Sequence, residues 1–83
     1  MVKYTAKIEV KFKPGVLDPQ GETIKHALFN LGYRSVETVR TGKLFWVELE
    51  SEAVENALQT ARQLADKLLA NPVIENFEVE PDR

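Results

Sequence analysis

A two-layer α+β sandwich of element order β-α-β-β-α-β is what this 83-residue sequence predicts, on three observations. Apolar and polar residues alternate from Val2 to Phe12, the period of a half-buried strand. Apolar residues then recur as Ile24, Ala27, Leu28 and Leu31, the i, i+3, i+4, i+7 spacing of one helix face. The same switch from period two to period 3.6 is repeated in the second half of the chain. With 83 residues the two units close as one domain over 1–83.

The first strand places Val2, Tyr4, Ala6, Ile8, Val10 and Phe12 on one parity and Lys3, Thr5, Lys7, Glu9, Lys11 and Lys13 on the other, which reads as a solvated face. Pro14-Gly15 ends it sharply. Asp18 is positioned to cap the first helix, Pro19 has the fixed φ of a first helical residue, and Gly32 supplies the stop after Leu31. This helix is expected to lie on the apolar face of the first strand.

From Arg34 to Glu50 the period returns to two, with Thr41-Gly42 as the expected turn of a tight hairpin. In its second strand Phe45, Val47 and Leu49 share one parity and Leu44 and Trp46 the other, so bulk stands on both faces. Leu44 and Trp46, with Val39 nearby, predict a patch for self-association on the face away from the helices. Ser51 is expected to cap a second helix with the apolar set Val54, Ala57, Leu58, Ala61, Leu64, Ala65 and Leu68, ending before Asn71-Pro72. A last strand runs from Val73 to Glu80, followed by a frayed Pro81-Asp82-Arg83. The order is that of the split βαβ, ferredoxin-like sandwich: a four-stranded antiparallel sheet with both helices on one face and the other face open.

Composition narrows the function. Hydrophobic residues at 43% and charged residues at 29% are those of a globular protein. A net charge of −2 argues against binding driven by phosphate neutralisation, and no nucleic-acid partner is expected. The absence of cysteine removes disulfides, thiolate nucleophiles and zinc–thiolate sites together, and suits the cytoplasm. Met1-Val2-Lys3-Tyr4 reads as a strand rather than a signal peptide, and no segment is apolar for long enough to span a membrane. The single histidine, His26, falls opposite the apolar stripe of its helix, without metal-ligand spacing around it. Gly42-Lys43 lacks the context of a phosphate loop. Glu48, Glu50, Glu52 and Glu55 read as solvated charge favouring a helix N-terminus. No catalytic residue, metal site or cofactor is expected. A small-ligand regulatory module of the ACT type shares the element order and is the alternative class. An RNA-recognition module shares it too, but Trp46 alone offers a base-stacking ring on the open face.

Several blocks in sequence carry a more specific likeness: Gly15-Val16-Leu17-Asp18-Pro19-Gln20-Gly21, then Leu28 with Leu31-Gly32, then Val39-Arg40 with Gly42-Lys43, and Leu68-Leu69-Ala70-Asn71-Pro72-Val73-Ile74-Glu75. In that order and spacing they resemble PurS, the small subunit of phosphoribosylformylglycinamidine (FGAM) synthase. The resemblance implies a cytoplasmic, non-catalytic bridging subunit in purine biosynthesis. Such a subunit forms a homodimer or tetramer and holds an ATP-dependent amidating large subunit and a glutaminase subunit together for ammonia transfer. It also implies that Asp18, Pro19, Gln20 and Gly21 form one docking end and Asn71, Pro72, Ile74 and Glu75 another. Arg40 and Lys43 would be polar contacts at the hairpin.

Overall fold

Ile8 and Val10 are the largest side chains fully withdrawn from solvent, and the layers of the molecule follow from them. The computed structural model describes residues 1–82. Its elements are β1 (Val2–Phe12), α1 (Pro19–Asn30), β2 (Gly42–Ser51), α2 (Val54–Leu64), continued by one π turn (Ala65–Leu69), and β3 (Glu75–Asp82). The three strands form an antiparallel sheet of order β2-β1-β3. Ile8 stands opposite Phe45 and Val79, and Val10 opposite Lys43 and Phe77. This register puts the apolar parity of all three strands on one face. There Ala6, Ile8 and Val10 pack with Ala61, Ala65 and Ala70, edged by Phe45, Val47, Leu49, Leu58, Phe77 and Val79. The small side chains of Ala57, Ala61 and Ala65 recur every four residues, so α2 lies close on the sheet.

The π turn alters which leucine faces the core. Ala70 N–H donates to Ala65 O at 2.8 Å, an i→i−5 bond that inserts one extra residue into the turn. Leu69 thereby joins the core, while Leu68, assigned to the apolar stripe by its spacing, is 83% exposed. The last strand is likewise displaced by two residues. It begins at Glu75, leaving Val73 exposed, and takes in Pro81 and Asp82, opposite Ala6 and Thr5, where fraying was expected. Arg83 of the expected frayed end lies outside the described residues.

Three further expectations are corrected. Ser51 does not cap α2: the N-cap is Ala53, without a side-chain bond, and Ser51 Oγ instead donates to Ala53 O at 3.1 Å. The sheet has three strands, because no hairpin forms at Thr41-Gly42. A two-residue hairpin turn requires positive φ, and the only positive-φ residues described are Gly15 and Gly32. The backbone from Ser35 to Thr41 is therefore an unpaired connection. Finally, the helices do not share a face. α2 packs on all three strands, whereas α1 makes at most marginal contact with any of them.

α1 instead extends the molecule lengthwise. The principal dimensions are 53 × 27 × 14 Å. An 11-residue strand spans about 36 Å and a 12-residue helix about 18 Å, so the two nearly end to end account for the long axis. The radius of gyration is 16.4 Å, against about 12 Å for a compact chain of this length.

Candidate interaction surfaces

α1 and the returning segment 33–41 form an arm whose two roots are fastened together by one carboxylate. Asp18, 2% exposed, accepts from Gly21 N–H at 2.9 Å through Oδ1 and from Thr41 N–H at 2.6 Å through Oδ2. Thr41 Oγ1 donates to the same carboxylate, at 2.8 Å to Oδ1. These bonds, led by the Thr41 backbone N–H and then that of Gly21, hold the Asp18 carboxyl below its usual range. The Arg40 guanidinium reaches back across the root to Val16 O at 3.1 Å and Lys13 O at 3.3 Å. Gly21 is buried at the crossing, where a Cβ would overlap the Val39 carbonyl oxygen. Asp18 thus caps the helix as its position implies and also closes a loop of 23 residues, for which local spacing carries no signal. Thr41, which completes that closure, was read from the sequence only as turn chemistry.

The second junction is as tightly organised. Asn71 N–H donates to Glu75 Oε1 at 2.7 Å, Asn71 Oδ1 accepts from Val73 N–H at 3.1 Å, and Asn71 O accepts from the N–H groups of Ile74 and Glu75. Lys13 N–H donates to Ile74 O at 2.8 Å, which ties this turn to the end of β1. The two junctions, 50 residues apart in the chain, consequently meet. A cleft of about 100 Å³ is lined by Phe12, Gln20, Thr41, Gly42, Lys43 and Glu75. Of the sequence-predicted contacts, Gln20, Lys43 and Glu75 converge there. Pro19 and Pro72 are exposed, and Ile74 is half-buried. Asp18 is spent on internal hydrogen bonds, and the exposed Arg40 is fixed in place by two backbone carbonyls.

Leu44 and Trp46 stand on the sheet face away from α2, 44% and 58% exposed. Their neighbours are charged: Lys7 pairs with Glu80 at 2.8 Å, Lys11 with Glu9 at 2.8 Å, and Lys3 with Glu48 at 3.9 Å. The hydrogen bond that the Lys7 ammonium donates to Glu80 raises the Lys7 pKa. Such exposed pairs add little stability and mark the face as solvated. His26 is exposed on α1. Among the described residues no three His, Asp or Glu side chains gather as a metal site would require, and no helix is long and apolar enough to cross a membrane.

Two rigid junctions around a shared cleft, an extended arm and an apolar strip on a charged face define a small α+β protein of the assembly-subunit class. Comparison with known proteins makes the family plain. The family model of PurS, phosphoribosylformylglycinamidine (FGAM) synthase, matches residues 5–83, and the chain belongs to that family. It is 39% identical over 80 residues to the PurS subunit of Methanocaldococcus jannaschii, covering 96% of each chain. It is 41% identical over 78 residues to that of Bacillus subtilis, covering 93% of this chain and 90% of the relative. Its fold superposes with a TM-score of 0.88, at 34% identity and 99% and 100% coverage, on a chain in the structure of PurLQS from Thermotoga maritima.

Proposed function

We propose that this chain is a non-catalytic bridging subunit of FGAM synthase in purine biosynthesis. It holds the ATP-dependent amidating large subunit and the glutaminase subunit together so that ammonia passes between them. The observation that carries this reading is the convergence of the two junctions at one end of the sheet. Internal hydrogen bonds absorb Asp18, so what the junctions offer outward is the shape of Pro19 and Pro72 and the polar tips of Gln20, Lys43 and Glu75, with the exposed Arg40 fixed in place by two backbone carbonyls. Such pre-ordered surface loses little freedom on docking, which favours assembly over chemistry. Likeness to a chain of a PurLQS structure supports the same role. The setting is cytoplasmic, and the four-stranded split βαβ sheet belongs to the assembled state, since residues 36–41 take part in no sheet of the single chain.

Reconstitution tests this. The large and glutaminase subunits should co-elute and show glutamine-dependent activity only when this chain is added. Full coupling in its absence would refute the bridging role.

A further inference from the structure

Clefts of ligand size open at both ends of the sheet, and their charges differ in sign. One, of about 630 Å³ beside the start of α2, carries Lys3 against Glu55 and Asp82. The other, of about 500 Å³, lies where β1 ends and β2 begins, and its charged residues are Lys11, Arg40, Lys43 and Glu9. Three cations against one acid leave a local charge of +2, in a chain whose net charge is −2. Cations gathered in one cleft focus the field there, so this end of the sheet attracts anions that the protein as a whole repels.

The three cations are held differently. Arg40 is pinned, because Nη1 donates to Val16 O and Nη2 to Lys13 O; this fixes the guanidinium plane and leaves its other N–H groups unused. Asp18 lies near enough for the Arg40 charge to help lower its pKa, but its carboxylate accepts from Thr41 and Gly21 instead. Lys43 is exposed. Among the described residues neither Arg40 nor Lys43 has a carboxylate oxygen within 4.0 Å. Lys11 is paired with Glu9 at 2.8 Å, an exposed contact weak enough for a stronger acceptor to displace. Half-buried Phe12 and 44%-exposed Leu44 add an apolar wall to the same cleft.

We infer that this cleft binds a phosphate monoester of nucleotide size, its phosphate on Arg40 and Lys43 with Lys11 beside them, and its ring against Phe12 and Leu44. A phosphate monoester carries close to two negative charges at neutral pH, which matches the charge of the lining, whereas a single carboxylate would leave half of it unmet. The planar fork of an arginine takes two phosphate oxygens at once, and a lysine adds a movable point charge. Arg40, Lys43 and Lys11 come from the return segment, β2 and β1, so a bound ester would tie all three together at the root of the arm. The inference rests on this cleft and not on the bridging role, and each can fail without the other.

Titrating the ¹⁵N-labelled full chain with adenosine monophosphate at low ionic strength, followed by amide chemical shifts, tests this. The amides of Arg40, Thr41, Gly42 and Lys43 should move together and saturate, while adenosine should move none of them. Lys43→Gln, at an exposed position, should weaken binding about tenfold through the loss of one charged hydrogen bond, and Glu9→Gln should tighten it. Lys3→Gln makes the same change in net charge at the far end of β1 and should leave the affinity unchanged. Equal weakening by Lys3→Gln would mean attraction to bulk charge and overturn the site, as would shifts that never saturate. Inorganic phosphate bound as tightly as the nucleotide would remove the apolar wall from the contact and overturn the ester as ligand. A hexaglutamate peptide bound more tightly than the nucleotide would also overturn it, by assigning the cleft to an acidic segment of a partner protein.

Discussion

Replacing Gly21 by alanine sets two effects of opposite sign against each other. Helix propensity alone favours alanine, by at most about 1 kcal/mol in the first turn of α1 where Gly21 lies. The structure says the reverse. A Cβ there would overlap the Val39 carbonyl oxygen and stand 3.0 Å from Asp18 Cγ and Oδ2, and the first of these is backbone that can move only by displacing the arm. Forcing a methyl into such a contact costs about 1–3 kcal/mol, and displacing the Asp18 clamp places this case at the upper end, for a net loss of about 1–2 kcal/mol. With unfolding entropy near 2.1 cal/mol/K per residue, each kcal/mol moves Tm by about 6 °C in 83 residues, so a fall of about 6–12 °C is expected. Thermal unfolding by circular dichroism at fixed protein concentration measures it. Gly32→Ala serves as the reference: its φ of +99° strains any side chain but a Cβ would meet nothing, so Gly32→Asn should recover much of the loss, whereas no residue should rescue position 21. If Gly21→Ala proved as stable as the parent or more so, propensity would have won and the close crossing of α1 with its return segment would be wrong.

The lowered carboxyl of Asp18 makes stability depend on pH in a definite direction. Its contribution is complete above the unfolded value of 3.8 and is lost as pH falls through the lower folded value. The parent should therefore lose Tm more steeply below about pH 4 than Asp18→Asn, whose amide cannot accept from both root N–H groups. Parallel curves would count against the clamp. Leu69→Ala should cost about 1–2 kcal/mol in urea unfolding and Leu68→Ala less than about 0.5, and the opposite ranking would remove the π turn. Trp46→Glu should weaken self-association, read as sedimentation mass against concentration, and an unchanged mass would exclude the Leu44/Trp46 strip from the contact.

Local chemistry was legible where its partners are near in sequence. Asp18 capping α1, Pro19 at its first turn, Gly32 in the left-handed region and the apolar parity of β1 all depend on neighbours within a few residues. Ser51 had the right residue type for a cap, but it ends β2, the helix starts only after Ala53, and the hydroxyl is used on the Ala53 carbonyl. Leu68 fitted the helical period until one extra residue entered the turn. The meeting of Gln20, Lys43 and Glu75 could not be read, because it depends on where β1 ends relative to the turn before β3.

By itself, then, the amino-acid order determined three strands, two helices and the apolar parity of β1, since period and capping are short-range properties, whereas the period of two between Arg34 and Arg40 made no strand. The direction of α1 was decided only in three dimensions. A helix with an apolar stripe is expected on its own sheet, but periodicity does not say where the chain will hold it. That choice lies in the Asp18–Thr41 bonds and the Gly21–Val39 crossing, contacts between residues about twenty positions apart, which hold the arm away from the sheet its own chain provides.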